Sequence, residues 1–297
     1  GEYDVKDVGD ANARTVTVTL TDVDFTEGAD TLAANYVLPT VATGAGAITP
    51  KSITITGLGA DDKVYDGGTT AVLNGKADFS GTSLAGAGTS TDGYVYGVDD
   101  IKIVGNATGA FVNKNVIGAQ NVTITGLSLD GDDKGNYALV PHADVQAEIT
   151  AKALTITGTI AQDRVYDATT DAAITLGTLS GFVGNETVTA TAAGTFDKKD
   201  AGARTATAEY TLADGDNGGL ATNYSLADST GLAATITAKD ITVSGLTSAD
   251  KVYDGTVTAT VDGDAALKAA VAVGAGTDTD GSVFVGDTVT LDTSAVS

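Results

Sequence analysis

Lys63-Val64-Tyr65-Asp66-Gly67 returns as Arg164-Val165-Tyr166-Asp167-Ala168 and again as Lys251-Val252-Tyr253-Asp254-Gly255. Three copies in order mark an internal repeat, and that periodicity decides the reading of the fold. Working outward, Asn-Tyr pairs begin at Asn35, Asn136 and Asn223, each 16 positions before Lys51, Lys152 or Lys239. Each of these lysines stands 11 positions before Asp62, Asp163 or Asp250. Gly97, Gly184 and Gly286 follow short Val/Tyr/Phe runs, and Phe111 and Phe196 come 14 and 12 positions after the first two.

The third copy has no such aromatic before Ser297, but reading on from Ser297 into Gly1 places Tyr3 at 14 positions after Gly286. Tyr3-Asp4-Val5-Lys6-Asp7-Val8-Gly9 also matches Phe196-Asp197-Lys198-Lys199-Asp200-Ala201-Gly202 in type and length. The expected organisation is therefore one period of a longer array. Residues 1–51 are the C-terminal half of a split repeat, 52–152 and 153–239 are complete repeats, and 240–297 are the N-terminal half of the split one.

Thr15-Val16-Thr17-Val18-Thr19-Leu20, Ser52-Ile53-Thr54-Ile55-Thr56, Asn121-Val122-Thr123-Ile124-Thr125 and Leu154-Thr155-Ile156-Thr157 alternate with period two. Branched side chains at such spacing suit a half-buried pleated surface, and Gly, Asn and Asp punctuate the runs. Three units in 297 residues predict an all-β chain, a tandem array of immunoglobulin-like β-sandwich repeats of roughly 100 residues each. A β-grasp-like repeat is the alternative, kept open by a helix-compatible stretch, Asp264-Ala265-Ala266-Leu267-Lys268-Ala269-Ala270.

The junctions are short. Glu148-Ile149-Thr150-Ala151-Lys152 runs into Ala153-Leu154-Thr155 with no Gly/Ser linker, and Pro50 stiffens the equivalent Ile48-Thr49-Pro50-Lys51. A semi-rigid rod held by nearest-neighbour contacts is expected. The first and third copies carry an insertion of about 14 residues that the second lacks, ending in Gly86–Gly93 and Gly274–Gly281. Insertions in repeat arrays map to surface loops and often to a contact face.

Composition narrows the function. The chain has no Cys, Met or Trp, which removes disulfides, thiolate nucleophiles and Cys-based zinc sites. A net charge of −23 argues against nucleic acid as a partner, because polyanion binding needs a clustered basic surface. The acidic exterior suits long arrays that stay soluble and apart. No run of 18 apolar residues exists, so membrane insertion is not expected. A signal peptide is not seen either, which for a segment of a larger chain says nothing about export.

The tyrosine motifs at 63, 164 and 251, the Asn-Tyr-x-Leu motifs at 35, 136 and 223 and the closing Ile-Thr-x-Lys resemble YDG-type and related MBG-type repeats of large bacterial surface proteins, including filamentous-haemagglutinin-like adhesins. Ala168 departs from the usual Gly. The resemblance implies an extracellular, non-catalytic repeat at a bacterial cell surface, used as stalk, spacer or adhesive fibre.

From the residues themselves, Tyr offers a ring to bury and a hydroxyl that seeks a partner, while Asp-Gly offers a turn with positive φ. The Asn of each Asn-Tyr pair is expected to pin a turn before its Tyr enters the core. The loops before these pairs are the candidates for chemistry. Asp130, Asp132 and Asp133 lie in one, Asp214 and Asp216 in the next, and Asp22, Asp24, Glu27 and Asp30 in the corresponding loop near residue 1. Clustered carboxylates with Gly suit the oxygen coordination of calcium, although none completes a twelve-residue calcium loop. Solvated turns are the competing reading.

No catalytic set is expected. His142 is the single histidine, no serine sits in a nucleophile elbow, and an active site copied along a rod is improbable. A Lys–Asn cross-link has no residue set to support it. Two functions compete: a structural repeat of an extracellular fibre or stalk, and an adhesive module for a cell-surface or matrix glycan or protein. Aromatics at 5% without Trp weaken a carbohydrate platform, so the structural role leads. Copies of the chain itself are the expected partners, in a covalent array or in a head-to-tail filament in which split halves complement by strand addition.

Overall fold

The computed structural model describes residues 1–29 and 33–292. Contacts divide the chain into two compact units, Gly1–Thr150 and Ala151–Ser297. Both are built from strands, and the helices among the described residues are five three-residue 3-10 turns. The chain is all-β.

In the first unit, Lys102–Phe111, Ala119–Asp130 and Val145–Thr150 form an antiparallel meander. Its alternation is that of the sequence: Gln120, Val122 and Ile124 turn inward and their neighbours outward. Two short strands close the meander's edges. Lys63–Val64 pairs in parallel with Ile149–Thr150, and Thr70–Ala71 pairs antiparallel with Gly109–Ala110. The hairpin of Ile55–Ala60 and Leu73–Phe79 lies against the meander. Tyr137–Leu139 adds in parallel to Lys51–Ile53. Ile53, Val95 and Tyr137 form a core against Phe79 and Tyr96, and Tyr65, Phe111 and Ile149 are buried.

The second unit repeats the plan. Val188–Phe196, Gly202–Asp214 and Ser229–Thr237 make the meander, closed by parallel Arg164–Val165 and antiparallel Asp171–Ala172. Ala161, Ala172, Phe196, Ala206 and Ile236 form its core, with Tyr166 and Ile174 packed on it.

A third meander lies in the first unit: Glu2–Tyr3, Ala13–Thr19 and Val41–Ala47. It keeps the same register. Tyr3 faces Val16 as Phe111 faces Val122 and Phe196 faces Ala206, and Ala13 faces Ala47 as Ala119 faces Glu148 and Ala203 faces Thr235. Its sheet stops at three strands, where the other two meanders sit in five-stranded sheets.

Asp264–Ala270 corrects the sequence reading. Ala266–Val271 is a strand, paired antiparallel with Val243–Ser244 and in parallel with Ser282–Phe284. An isolated helix of under two turns must bear the cost of nucleation, whereas the strand gains partners on both edges. The helical hint that supported a β-grasp-like repeat is thereby lost.

Candidate inter-repeat site

Each tyrosine motif folds as a knuckle around its cation. Lys63 Nζ donates to Asp66 Oδ1 at 2.7 Å, Gly68 O at 2.7 Å and Thr70 O at 3.1 Å, while Asp66 Oδ1 accepts from Gly68 N at 2.9 Å. The Lys63 ammonium holds the Asp66 carboxyl below the usual carboxylate range. Arg164 does the same work, ion-pairing with Asp167 and donating to Thr169 O at 2.5 Å. The turn needs positive φ, +81° at Gly67 and +67° at Ala168, so the alanine keeps the left-handed geometry against its preference.

The knuckle clamps the meander at both edges. Tyr65 N donates to Thr150 O at 2.8 Å and Tyr166 N to Thr237 O at 2.9 Å; Phe111 N donates to Thr69 O at 2.8 Å and Phe196 N to Thr170 O at 2.7 Å. The upstream aspartates cap the same edge, Asp62 Oδ1 accepting from Glu148 N at 2.7 Å and Asp163 Oδ1 from Thr235 N at 2.6 Å. The cation then lies over the meander's aromatic ring, Lys63 Nζ 5.6 Å from the Phe111 centroid and the Arg164 guanidinium 5.3 Å from that of Phe196. These contacts explain the shared spacing of Asp, Lys/Arg and Tyr within the motif and the return of an aromatic on each meander.

The tyrosine's far end meets the next repeat. Tyr166 Oη donates to Asp287 Oδ2 at 2.8 Å, Lys199 Nζ donates to Asp287 Oδ1 at 3.2 Å, and the Tyr166 ring meets Phe284 edge-on at 5.8 Å. Burial and the adjacent Asp287 carboxylate push the Tyr166 hydroxyl's pKa up. A second junction, between residues 1–51 and the repeat that follows, uses Asn136: Val8 N donates to its Oδ1 and its Nδ2 donates to Asp7 Oδ1, both at 2.9 Å. Asn136 thus joins segments instead of only pinning its own turn.

The insertions hold the repeat lysines. Asp280 accepts from Lys239 Nζ at 2.8 Å, Ser282 N at 2.8 Å and Thr277 N at 2.9 Å. Asp92 takes the same set from Lys51, Tyr94 and Thr89. Both lysines are buried and lie 5.5 Å from a ring, Tyr96 for Lys51 and Phe284 for Lys239. Lys239 and the two backbone donors depress the Asp280 carboxyl to about 2. The acids were not singled out in the sequence; the signal was there, in an Asp-Gly that closes each insertion 41 residues after its lysine.

Protein donors meet several of the acidic loop residues. Asp130 pairs with Lys134 at 2.8 Å, Asp133 accepts from Lys6 at 3.2 Å and from Asp100 N at 2.8 Å, and Asp132 N donates to Asp100 Oδ2 at 3.5 Å. Asp214 Oδ1 accepts from Ala221 N at 2.7 Å, while Asp216 N donates to Thr187 Oγ1 at 2.9 Å. Asp24 accepts from Thr21, and Asp30 lies outside the described residues. Among the described residues no group of three or more His, Cys, Asp or Glu is placed to hold a metal ion. His142 Nδ1 lies 2.6 Å from Ala143 O. No helix among the described residues is long and apolar enough to cross a membrane.

Fold and site together define a tandem-repeat protein whose two complete all-β modules share one tyrosine-centred clamp. The YDG domain family matches residues 49–147 and 150–231, and the chain belongs to that family. The match corrects the wider resemblance drawn from the motifs: it is to the YDG domain alone and carries nothing of MBG-type repeats, bacterial surface proteins or filamentous-haemagglutinin-like adhesins. No curated protein and no solved structure matches the chain.

Proposed function

We propose that the chain is a structural repeat unit of a fibre or stalk outside the cell, one period of a longer tandem array or of a head-to-tail filament, and not an enzyme. The observation that carries this reading is the three-stranded meander of residues 2–47, which keeps the register of the two five-stranded sheets but, among the described residues, lacks both edge strands. The residues that supply those edges elsewhere recur at 251–259, where they form no strand. Repeat arrays gain stability from such nearest-neighbour contacts. Within each of the two complete repeats, the strand pair packed on the meander supports an immunoglobulin-like, two-layer arrangement. The extracellular setting is drawn from the acidic exterior, which keeps long arrays soluble and apart.

Electron microscopy of the purified chain over a concentration series tests the reading. Extended, beaded rods are expected; compact monomers throughout would contradict it. Specific binding on a glycan array would favour the adhesive alternative.

A further inference from the structure

The motif Lys251-Val252-Tyr253-Asp254-Gly255 is folded but unclamped. Lys251 Nζ already donates to Asp254 Oδ1 at 3.0 Å, Thr256 O at 2.8 Å and Thr258 O at 2.7 Å, the same three roles that Lys63 fills. Yet Tyr253 is 92% exposed where Tyr65 is 1% exposed, and Val257 is fully exposed. On the other side, Tyr3, the counterpart of Phe111 and Phe196, is 45% exposed with no cation over its ring among the described residues.

A seat for a tyrosine is also present. Asp7, Val8, Pro50, Lys51, Tyr96 and Asp99 line a cavity of about 450 Å³. Position by position these correspond to Asp200, Ala201, Ala238, Lys239, Phe284 and Asp287, which line the cavity that Tyr166 enters. In the first cavity no motif tyrosine contributes to the lining.

We propose that residues 250–259 of a second copy of this chain complete the meander of residues 2–47 and seat their Tyr253 in that cavity. The inference rests on the fibre reading and fixes its contact. By the register of the complete repeats, Lys251 and Val252 of one copy pair in parallel with Ile48 and Thr49 of the other, as Lys63 and Val64 pair with Ile149 and Thr150. The Tyr253 amide donates to Thr49 O, the Tyr3 amide donates to Val257 O, Lys251 lies over the Tyr3 ring, and the Tyr253 hydroxyl reaches Asp99. The exchange is reciprocal. Tyr36, exposed here, takes the place that Tyr137 holds against Asp99 and donates to Asp287 of the other copy.

Cysteine pairing tests this in the 297-residue chain, which has no cysteine of its own. Residues paired across neighbouring strands are roughly 5 Å apart, within disulfide range. Val64 and Thr150 are both exposed in the complete repeat, so Thr49→Cys and Val252→Cys should leave folding intact. Mixed and oxidised, the two single variants are expected to give a mixed dimer at least severalfold above either variant alone, and Tyr253→Ala placed in the Val252→Cys chain should remove that excess. The double variant should give a ladder of oligomers. A cross-linked monomer from the double variant would overturn the second copy as occupant, and absence of any preferred cross-link would overturn the contact. Rods seen by microscopy without this cross-link would remove the register and leave the fibre reading standing.

Discussion

Replacing Phe196 by alanine probes the clamp where it is complete. The ring is 2% exposed, packs among Ala161, Ala172, Ala206 and Ile236, and carries Arg164 at 5.3 Å above its face. Truncating a buried phenylalanine costs about 3–5 kcal/mol through lost transfer energy and the cavity left behind. Three of the four buried neighbours are alanines, whose single methyl groups cannot swing in to fill the space, so the upper half of that range is expected. The cation over the ring contributes roughly 0.5–1 kcal/mol within that total. Against a domain stability of about 5–15 kcal/mol the loss is large. Phe196→Leu keeps most of the volume and should cost less than about 1.5 kcal/mol. Urea titration followed by far-ultraviolet circular dichroism reads both, with a lower midpoint and an unchanged slope. A loss of less than about 1 kcal/mol for Phe196→Ala, close to what surface substitutions give, would refute the clamp as a source of stability.

Ala168→Gly should stabilise by about 1 kcal/mol, because alanine at a φ of +67° bears a left-handed penalty that glycine lacks; urea midpoints check it. Asp280 has a depressed folded-state pKa, so protons bind the unfolded chain more tightly. Its contribution is full above the unfolded value of 3.8 and is lost as pH falls towards about 2, and Asp280→Asn should flatten the melting temperature's decline over that window. Tyr137 is pushed up to about 12, first by burial and then by its bond to Asp99, so its proton binds the folded chain more tightly. Stability should decline between pH 10 and about 12, and Tyr137→Phe should reduce that slope in alkaline melts. Because Asp130, Asp133 and Asp214 already accept protein donors, millimolar calcium should shift the melting temperature no more than magnesium does; a calcium-specific rise reversed by chelator would favour calcium over solvated turns.

Much of this architecture was legible in the sequence. Alternation in Asn121–Thr125 and Thr15–Leu20 marked strands, because period-two patterning goes with the alternating faces of a pleated sheet. The fixed spacing of Asp62 and Tyr65, repeated at Asp163 and Tyr166, marked two parts of one clamp, although their roles appear only when Glu148 N and Thr150 O come to meet them. Parallel pairing of Lys63–Val64 with Ile149–Thr150 was hidden, since residues so far apart share a strand edge only after the chain folds. Alanine-rich Ala266–Val271 misled because its local preference yields to pairing on both edges. The carboxylates of the Asn-Tyr loops drew attention by clustering in sequence, while Asp92 and Asp280, single acids that hold buried lysines, did not.

Amide hydrogen exchange at Tyr253 tests the central claim most directly. In the dilute single chain this amide should exchange within the fast, exposed class. When two copies are fused from Ser297 to Gly1, the Tyr253 amide of the first copy should gain the protection shown by Tyr65 and Tyr166, whose amides bond Thr150 O and Thr237 O. Exchange at Tyr253 that stays fast in the fused pair would contradict the completion of one repeat by the halves of two.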